Sequence, residues 1–271
     1  MEQPPGYIDS RFPTHVCLLK KAIYGLKQAP RAWFQQFSSF LLKLGFSCSR
    51  ADTSLFIFHQ QLDLIYLLIY VDDIIVIGNN SSLIDGFTRT LHSEFAIKDL
   101  GSLSYFLGLE ASTTHDGLFL SQLKYARDIL TRAQLLDSKP VHTSMVVSQY
   151  LTVDGSPFSD PTLYRSLIGA IQYLTITRPN FAHVVNSVSQ FMHAPTIDHF
   201  RVVKRILRYV KGTINFGLTF RSTVPADLVA YSDADWVGCP DTRRSMSGYS
   251  IYFGLSFLEC KETTYCITLM L

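Results

Sequence analysis

At 271 residues with 47% apolar side chains, the chain is long enough for about two domains of roughly 150 residues with buried cores, which excludes a disordered or fibrous polypeptide. Its 24 Lys and Arg against 22 Asp and Glu leave a net charge of +2, so any basic surface for a polyanion must come from local clustering. The 5 cysteines (Cys17, Cys48, Cys239, Cys260, Cys266) form no CxxC pair and no zinc spacing, which argues against a disulfide scaffold and for a reducing intracellular compartment, cytoplasm or nucleus.

In chain order, residues 1–6 lack the basic start and apolar run of a secretion signal, and Pro4, Pro5, Gly6 and Pro13 predict a turn-rich arm over 1–15. From 29 to 44, Trp33, Phe34, Phe37, Phe40, Leu41 and Leu44 recur at steps of three and four between Pro30 and Gly45, predicting an amphipathic helix whose aromatic stripe is core. Residues 55–58, 64–70 and 74–77 are β-rich runs. The apolar stretch 62–77 is too short to span a bilayer and carries Asp72 and Asp73, so no membrane segment or membrane partner is expected. It reads instead as a strand, a tight carboxylate-bearing turn and a strand. Helical spacing returns over 81–95, a turn leading into a strand or hairpin follows over 98–109, and a helix over 121–135. The Ser/Thr/Asp/Gly-rich stretch 140–161 is the candidate linker. Residues 162–211 are mostly helical with breaks at Pro179 and Pro195, and strands return at 218–220, 228–232 and 250–253.

Two adjacent aspartates between apolar strands are costly to bury unless paired or bound to cations. By themselves they fit a solvated turn. They also supply the hard oxygens that Mg²⁺ takes, and two such ions about 3.5–4 Å apart serve in-line phosphoryl transfer. The neighbouring residues choose between these. Tyr70-Val71-Asp72-Asp73 resembles the YxDD box of reverse transcriptases. Upstream, Lys20-Lys21-Ala22-Ile23-Tyr24-Gly25-Leu26-Lys27-Gln28-Ala29-Pro30-Arg31-Ala32-Trp33 is similar to the signature segment of copia-type retrotransposon reverse transcriptases. The resemblance continues through Lys98-Asp99-Leu100-Gly101, Tyr105-Phe106-Leu107-Gly108-Leu109, Tyr164 to Ala170, Arg205 to Thr213, and Tyr231-Ser232-Asp233-Ala234-Asp235-Trp236.

That resemblance implies an α+β chain: partial fingers and palm over 1–115, a mainly helical thumb and connection over 116–225, and an incomplete RNase H-like start with a non-matching tail over 226–271. It implies that Asp72 and Asp73 bind Mg²⁺ or Mn²⁺ for RNA-directed DNA synthesis from deoxynucleotides on an RNA or DNA primer-template. Tyr70 and Val71 would lie beside the primer end and the incoming nucleotide, Gln28 would contact the nucleotide, and Lys98 resembles the lysine proposed to protonate the leaving pyrophosphate. Leu107 and Gly108 look like the primer-grip turn. From Arg11 to Arg50 there are 7 basic and no acidic residues, so Lys20, Lys21, Lys27 and Arg31 are candidate primer-template contacts. Arg201, Lys204, Arg205, Arg208 and Lys211 share one helical face, which fits either a polyanion track or a solvated surface. His183, His193 and His199 have no ligand spacing and read as core or surface residues.

Asp233 resembles the first catalytic carboxylate of RNase H, but the family's further carboxylates have no counterpart, so no intact hydrolase is expected. The resemblance also places the family's first palm aspartate ahead of Met1, with Asp9 and Asp52 lacking the family's surrounding residues. Weak or absent polymerase activity is therefore expected. A nucleic-acid-binding chain without catalysis and a poorly folded remnant of a decayed element remain as alternatives. Residues 255–271 do not resemble the family. With allowed codons for 257–269, reading one base later gives Ser-Trp-Asn-Ala-Lys-Arg-Gln-Pro-Thr-Val-Ser-Arg, similar to the RNase H continuation. A frameshifted tail is expected to add no contact to the sheet and to give Cys260 and Cys266 no role.

Overall fold

In the computed structural model, which describes residues 2–20, 25–71, 73–115, 117–146, 151–221, 227–234, 236, 245–253 and 256–264, contacts divide the chain into two units, Met1–Gly101 and Ser102–Leu271. In the first, α1 (Ala29–Lys43) starts with Pro30 in its first turn. It gives way at Gly45, whose φ of +91° suits a residue without a Cβ. Phe37 and Leu41 are its buried side chains, on the stripe the sequence predicts. Strands β1 (Ser47–Cys48), β2 (Leu55–Gln60), β3 (Asp63–Tyr70) and β4 (Asp73–Gly78) form an antiparallel sheet in that order. Along β3, Ile65, Leu67 and Ile69 are buried while Tyr66 and Tyr70 are exposed, the alternation of a sheet covered on one face. Helix α2 (Ser81–Glu94) follows Asn80, whose side chain accepts the Leu83 N–H at 3.3 Å. It adds Phe87 and Leu91 to the core formed by Phe37, Leu41, Phe46, Phe56 and the β3 residues.

The second unit opens with β5 (Tyr105–Phe106), β6 (Leu109–Thr114) and β7 (Gly117–Ser121), and continues into α3 (Leu123–Arg132). Helices α4 (Pro161–Leu174), α5 (Ala182–Ser189) and α6 (Ile197–Gly212) follow, with a short 3-10 turn, Pro179–Phe181, at the predicted proline break. Their apolar faces meet in one core that includes Ile129, Leu130, Tyr164, Leu167, Ile171, Val185, Val203 and Ile206. Each large side chain buried this way contributes about 1.5–3 kcal/mol.

Three features complete the strand architecture, the last of them against expectation. The strand expected at 218–220 is β8 (Leu218–Arg221), and it pairs with β7, completing the sheet β5-β6-β7-β8. Gly217 permits this junction, since a Cβ there would lie 2.3 Å from the Leu120 carbonyl oxygen. The division between units falls after Gly101, so the β6–β7 hairpin, in which Thr114 pairs with Gly117, lies wholly in the second unit. Finally, β9 (Leu228–Ala234), β10 (Met246–Phe253) and β11 (Ser256–Thr264) form a third sheet in the order β11-β10-β9. The tail expected to add nothing thus pairs with β10 from Met246↔Thr264 to Phe253↔Ser256. Ladder hydrogen bonds join main-chain groups, so a β-permissive segment completes an open edge whatever its origin. Cys260 lies in this strand, opposite Ser250; Cys266 lies outside the described residues.

Candidate functional site

Tyr70 pairs with Asp73, so two residues separate β3 from β4. Two-residue hairpin loops of the favoured types need positive φ at their first central position. That position is Val71, at φ +52° and 58% exposed. A β-branched side chain there is an outlier, and left-handed backbone costs an L-residue about 1–2 kcal/mol. Tyr70 is exposed on the sheet face opposite Ile69, and Asp73 opens β4, also exposed. Asp72 lies outside the described residues.

Two ring contacts order α1 along this sheet. A Cβ on Gly45 would sit 3.6 Å from the Phe58 ring, whereas Phe34 meets Phe56 at 6.3 Å between centroids. Phe58 pairs with Ile65 and Phe56 with Leu67, so the N-terminal turn of α1 lies toward the Tyr70–Asp73 end of the sheet. Gln28 is the N-cap of that helix, its amide not engaged in capping, and Lys27, Gln28 and Arg31 are exposed around the same turn. The structure therefore brings Lys27, Gln28 and Arg31 toward the end of the sheet that carries Tyr70, Val71 and Asp73. Lys20 is exposed in the preceding arm, and Lys21 lies outside the described residues. Lys98 is exposed after α2, beside Asp99, whose carboxylate accepts the Gly101 N–H at 2.8 Å.

Asp9 and Asp52, the two acids weighed against the family's first palm aspartate, are each engaged locally. Asp9 accepts the Arg11 N–H at 2.8 Å. Asp52 accepts the Ser54 hydroxyl at 2.6 Å and the Ser54 N–H at 2.9 Å, and these hydrogen bonds hold its carboxyl below the usual range. Among the described residues, no three His, Cys, Asp or Glu side chains converge on a metal-sized site.

The remaining candidates belong to the second unit. Leu107 and Gly108 link β5 to β6 with φ of +51° and +80°, and Phe106 pairs with Leu109, so the loop has the two positive φ values of a type I′ turn. Asp233 is exposed on β9, opposite Gly248. The basic face of α6 holds protein. Arg205 donates to the Thr143 hydroxyl at 2.7 Å, Arg208 to the Lys139 carbonyl at 2.6 Å and Lys211 to the Ser138 carbonyl at 2.5 Å. Arg201 pairs with Asp198 at 2.5 Å, and Lys204 lies 4.8 Å from the Phe200 ring centroid. His199 is buried and closes a capping box with Thr196; its Nδ1 accepts the Thr196 N–H, so the ring proton on Nε2 faces the Thr152 carbonyl at 3.0 Å.

Sequence reasoning passed over two residues. Arg178 is 2% exposed and donates to the carbonyls of Val210 and Ile214 at the end of α6; burial pushes its guanidinium down to about 10, still charged at neutral pH. Tyr173, on α4, hydrogen-bonds the Leu107 carbonyl. Both partners are distant in sequence, so no local pattern announces them.

Residues 1–147 match the family model described as reverse transcriptase (RNA-dependent DNA polymerase). The chain is 46% identical over 255 residues to the retrovirus-related Pol polyprotein from transposon RE1 of Arabidopsis thaliana, covering 94% of the chain and 17% of that protein. It is 36% identical over 264 residues to the Pol polyprotein from transposon TNT 1-94 of Nicotiana tabacum, covering 93% of the chain and 20% of that protein. An uncharacterized mitochondrial protein of Arabidopsis thaliana is 44% identical over 194 residues, covering 72% of the chain and 81% of that relative. The chain thus spans about a fifth of the Pol polyproteins it matches. No solved structure matches. Among the described residues, no helix is long and apolar enough to cross a membrane.

Proposed function

The chain belongs to the copia-type retrotransposon reverse-transcriptase family, and from that premise we propose that it supplies the YVDD half of a two-metal centre for RNA-directed DNA synthesis. Residues 1–115 are then partial fingers and palm, 116–225 thumb and connection, and β9 and β10 the opening strands of an RNase H-like fold with Asp233 as its first carboxylate. Asp72 and Asp73 are the metal-holding pair, matching by donor chemistry the hard-oxygen preference of Mg²⁺. When bound, the metal ions would activate the primer 3′-hydroxyl and stabilise the leaving pyrophosphate. Tyr70 flanks the primer end and Val71 the incoming nucleotide, Gln28 contacts the nucleotide, and Lys98 meets the pyrophosphate. Lys20, Lys21, Lys27 and Arg31 neutralise primer-template phosphates, and the Leu107–Gly108 turn holds the primer.

The observation that carries this reading is the hairpin itself: a two-residue turn with a left-handed Val71, at the end of the sheet where α1 presents Gln28 and Arg31. With Asp9 and Asp52 held in their own turns, the 271-residue chain by itself is expected to extend a primer weakly or not at all. Every 1.36 kcal/mol of transition-state stabilisation lost with a metal ligand slows the reaction about tenfold. The competing reading, nucleic-acid binding without catalysis, is favoured by the basic segment 11–50.

Titration with Mn²⁺, followed by paramagnetic broadening of backbone amide resonances, tests the metal assignment without requiring turnover. Tyr70, Val71 and Asp73 should broaden first, and Asp72→Asn should abolish the effect. Uniform broadening, or broadening centred elsewhere, rejects the metal site. Robust primer extension that disappears in Asp72→Asn would establish catalysis and reject the expected inactivity.

A further inference from the structure

We propose that Tyr173 is a positioning residue for the primer 3′ end, acting through the Leu107–Gly108 turn; this rests on the reading of that turn as the primer grip. The turn is conformationally expensive as built. A type I′ loop favours Asn, Asp or Gly at both central positions, and here a leucine occupies the first at φ +51°. Such backbone persists where surrounding structure over-determines it.

Tyr173 supplies that constraint from α4. Its hydroxyl donates to the Leu107 carbonyl, 66 residues away in sequence. Its ring covers Gly108 closely enough that a Cβ there would lie 3.5 Å from Cε1. The ring is fixed in turn by Tyr125 of α3, edge-on at 5.2 Å. One side chain on α4 thus joins α3, α4 and the β5–β6 turn, and it sets the direction of the Leu107 peptide without itself reaching the substrate. Glu110, two residues beyond the turn, reinforces the same frame by accepting the Lys124 N–H at 2.7 Å in the first turn of α3.

The test measures binding of the full chain, by fluorescence anisotropy, to a DNA primer annealed to a longer RNA template and to a blunt duplex of the same primer. The unmodified chain should prefer the recessed 3′ end. Tyr173→Phe removes one hydroxyl and should weaken binding to the recessed duplex about three- to tenfold, the range of a single net hydrogen bond, with blunt-duplex binding and circular dichroism unchanged. Tyr173→Phe/Leu107→Asn should recover the preference, because Asn adopts the left-handed conformation without help. Undiminished preference in Tyr173→Phe, or equal weakening on both duplexes, overturns the assignment. Absence of any preference in the unmodified chain rejects the primer-grip reading, and the role of Tyr173 falls with it.

Discussion

Replacing Val71 by glycine isolates the strain stored at the YVDD turn. The left-handed φ costs a residue with a Cβ about 1–2 kcal/mol, and the extra backbone freedom of glycine in the unfolded chain returns about 0.5–1 kcal/mol of that. Val71 is 58% exposed, so its truncation removes little burial. The balance is a stabilisation of about 0.5–1 kcal/mol. Urea unfolding of the full chain followed through Trp33 measures it locally, because Trp33 stacks on Phe37 at 5.0 Å in the core of the first unit. The second tryptophan, Trp236, is 77% exposed and is replaced by Phe in the background. With an m-value of about 1–3 kcal/mol/M, the midpoint should rise by a few tenths molar at constant m. Val71→Ala keeps the Cβ and should gain clearly less. A lower midpoint in Val71→Gly, or an equal rise in Val71→Ala, would show that the turn is not strained.

Four other outcomes follow from the second unit and the basic segment. Tyr164 is fully buried, its hydroxyl donating to the Val188 carbonyl at 2.7 Å, and burial raises its pKa above the usual 10.0. The folded chain then holds the proton where the unfolded chain releases it, so stability is full below about pH 10 and falls as pH rises beyond it. Tyr164→Phe should flatten that alkaline loss while lowering neutral stability by about 0.5–1.5 kcal/mol, read from urea midpoints across pH. Arg178→Met strips donors from the Val210 and Ile214 carbonyls and should cost about 2–4 kcal/mol in the same assay; a loss below half a kcal/mol would mean those carbonyls find other donors. Lys27→Glu should weaken primer-template binding and reduce its salt slope, whereas Arg208→Ala should leave binding intact and expose residues 138–143 to protease, because Arg208 holds the Lys139 carbonyl.

What was legible in the sequence follows locality. The Trp33–Leu44 stripe, the alternation along Ile65, Leu67 and Ile69, and the buried Val202, Val203, Ile206, Leu207 and Val210 each repeat within one element, so period alone assigns their faces. The YVDD hairpin was legible because its turn is bounded by strand-length apolar runs. Pairing of β8 with β7 was not, since the partners lie on opposite sides of four helices in the sequence. Nor was the work of Arg205, Arg208 and Lys211, because a charge period defines a face without saying what lies against it. Asp52-Thr53-Ser54 is an intermediate case: an aspartate two residues before a serine is an Asx-turn signature, and it foretells the local engagement of Asp52.

Among the described residues, four other than glycine have positive φ: Gln61, Val71, Leu107 and Gln134. Gln61 and Gln134 are polar and exposed, in the β2–β3 turn and just after α3. Val71 and Leu107 are apolar, and both sit at the first position of a two-residue hairpin within the segments that resemble the nucleotide and primer contacts of the family. Glycine would satisfy the backbone at either position with less strain. A side chain there adds a surface and stiffens the turn at some expense of stability, an exchange that would suit the nucleotide and primer roles proposed for these turns. The two turns differ in how the strain is contained. Leu107 is braced from α4 by Tyr173, while the strands flanking Val71 continue the ladder up to the Tyr70–Asp73 pair. Strain at Leu107 is therefore coupled to the helical core of the second unit, whereas strain at Val71 is borne by the sheet that carries the aspartates.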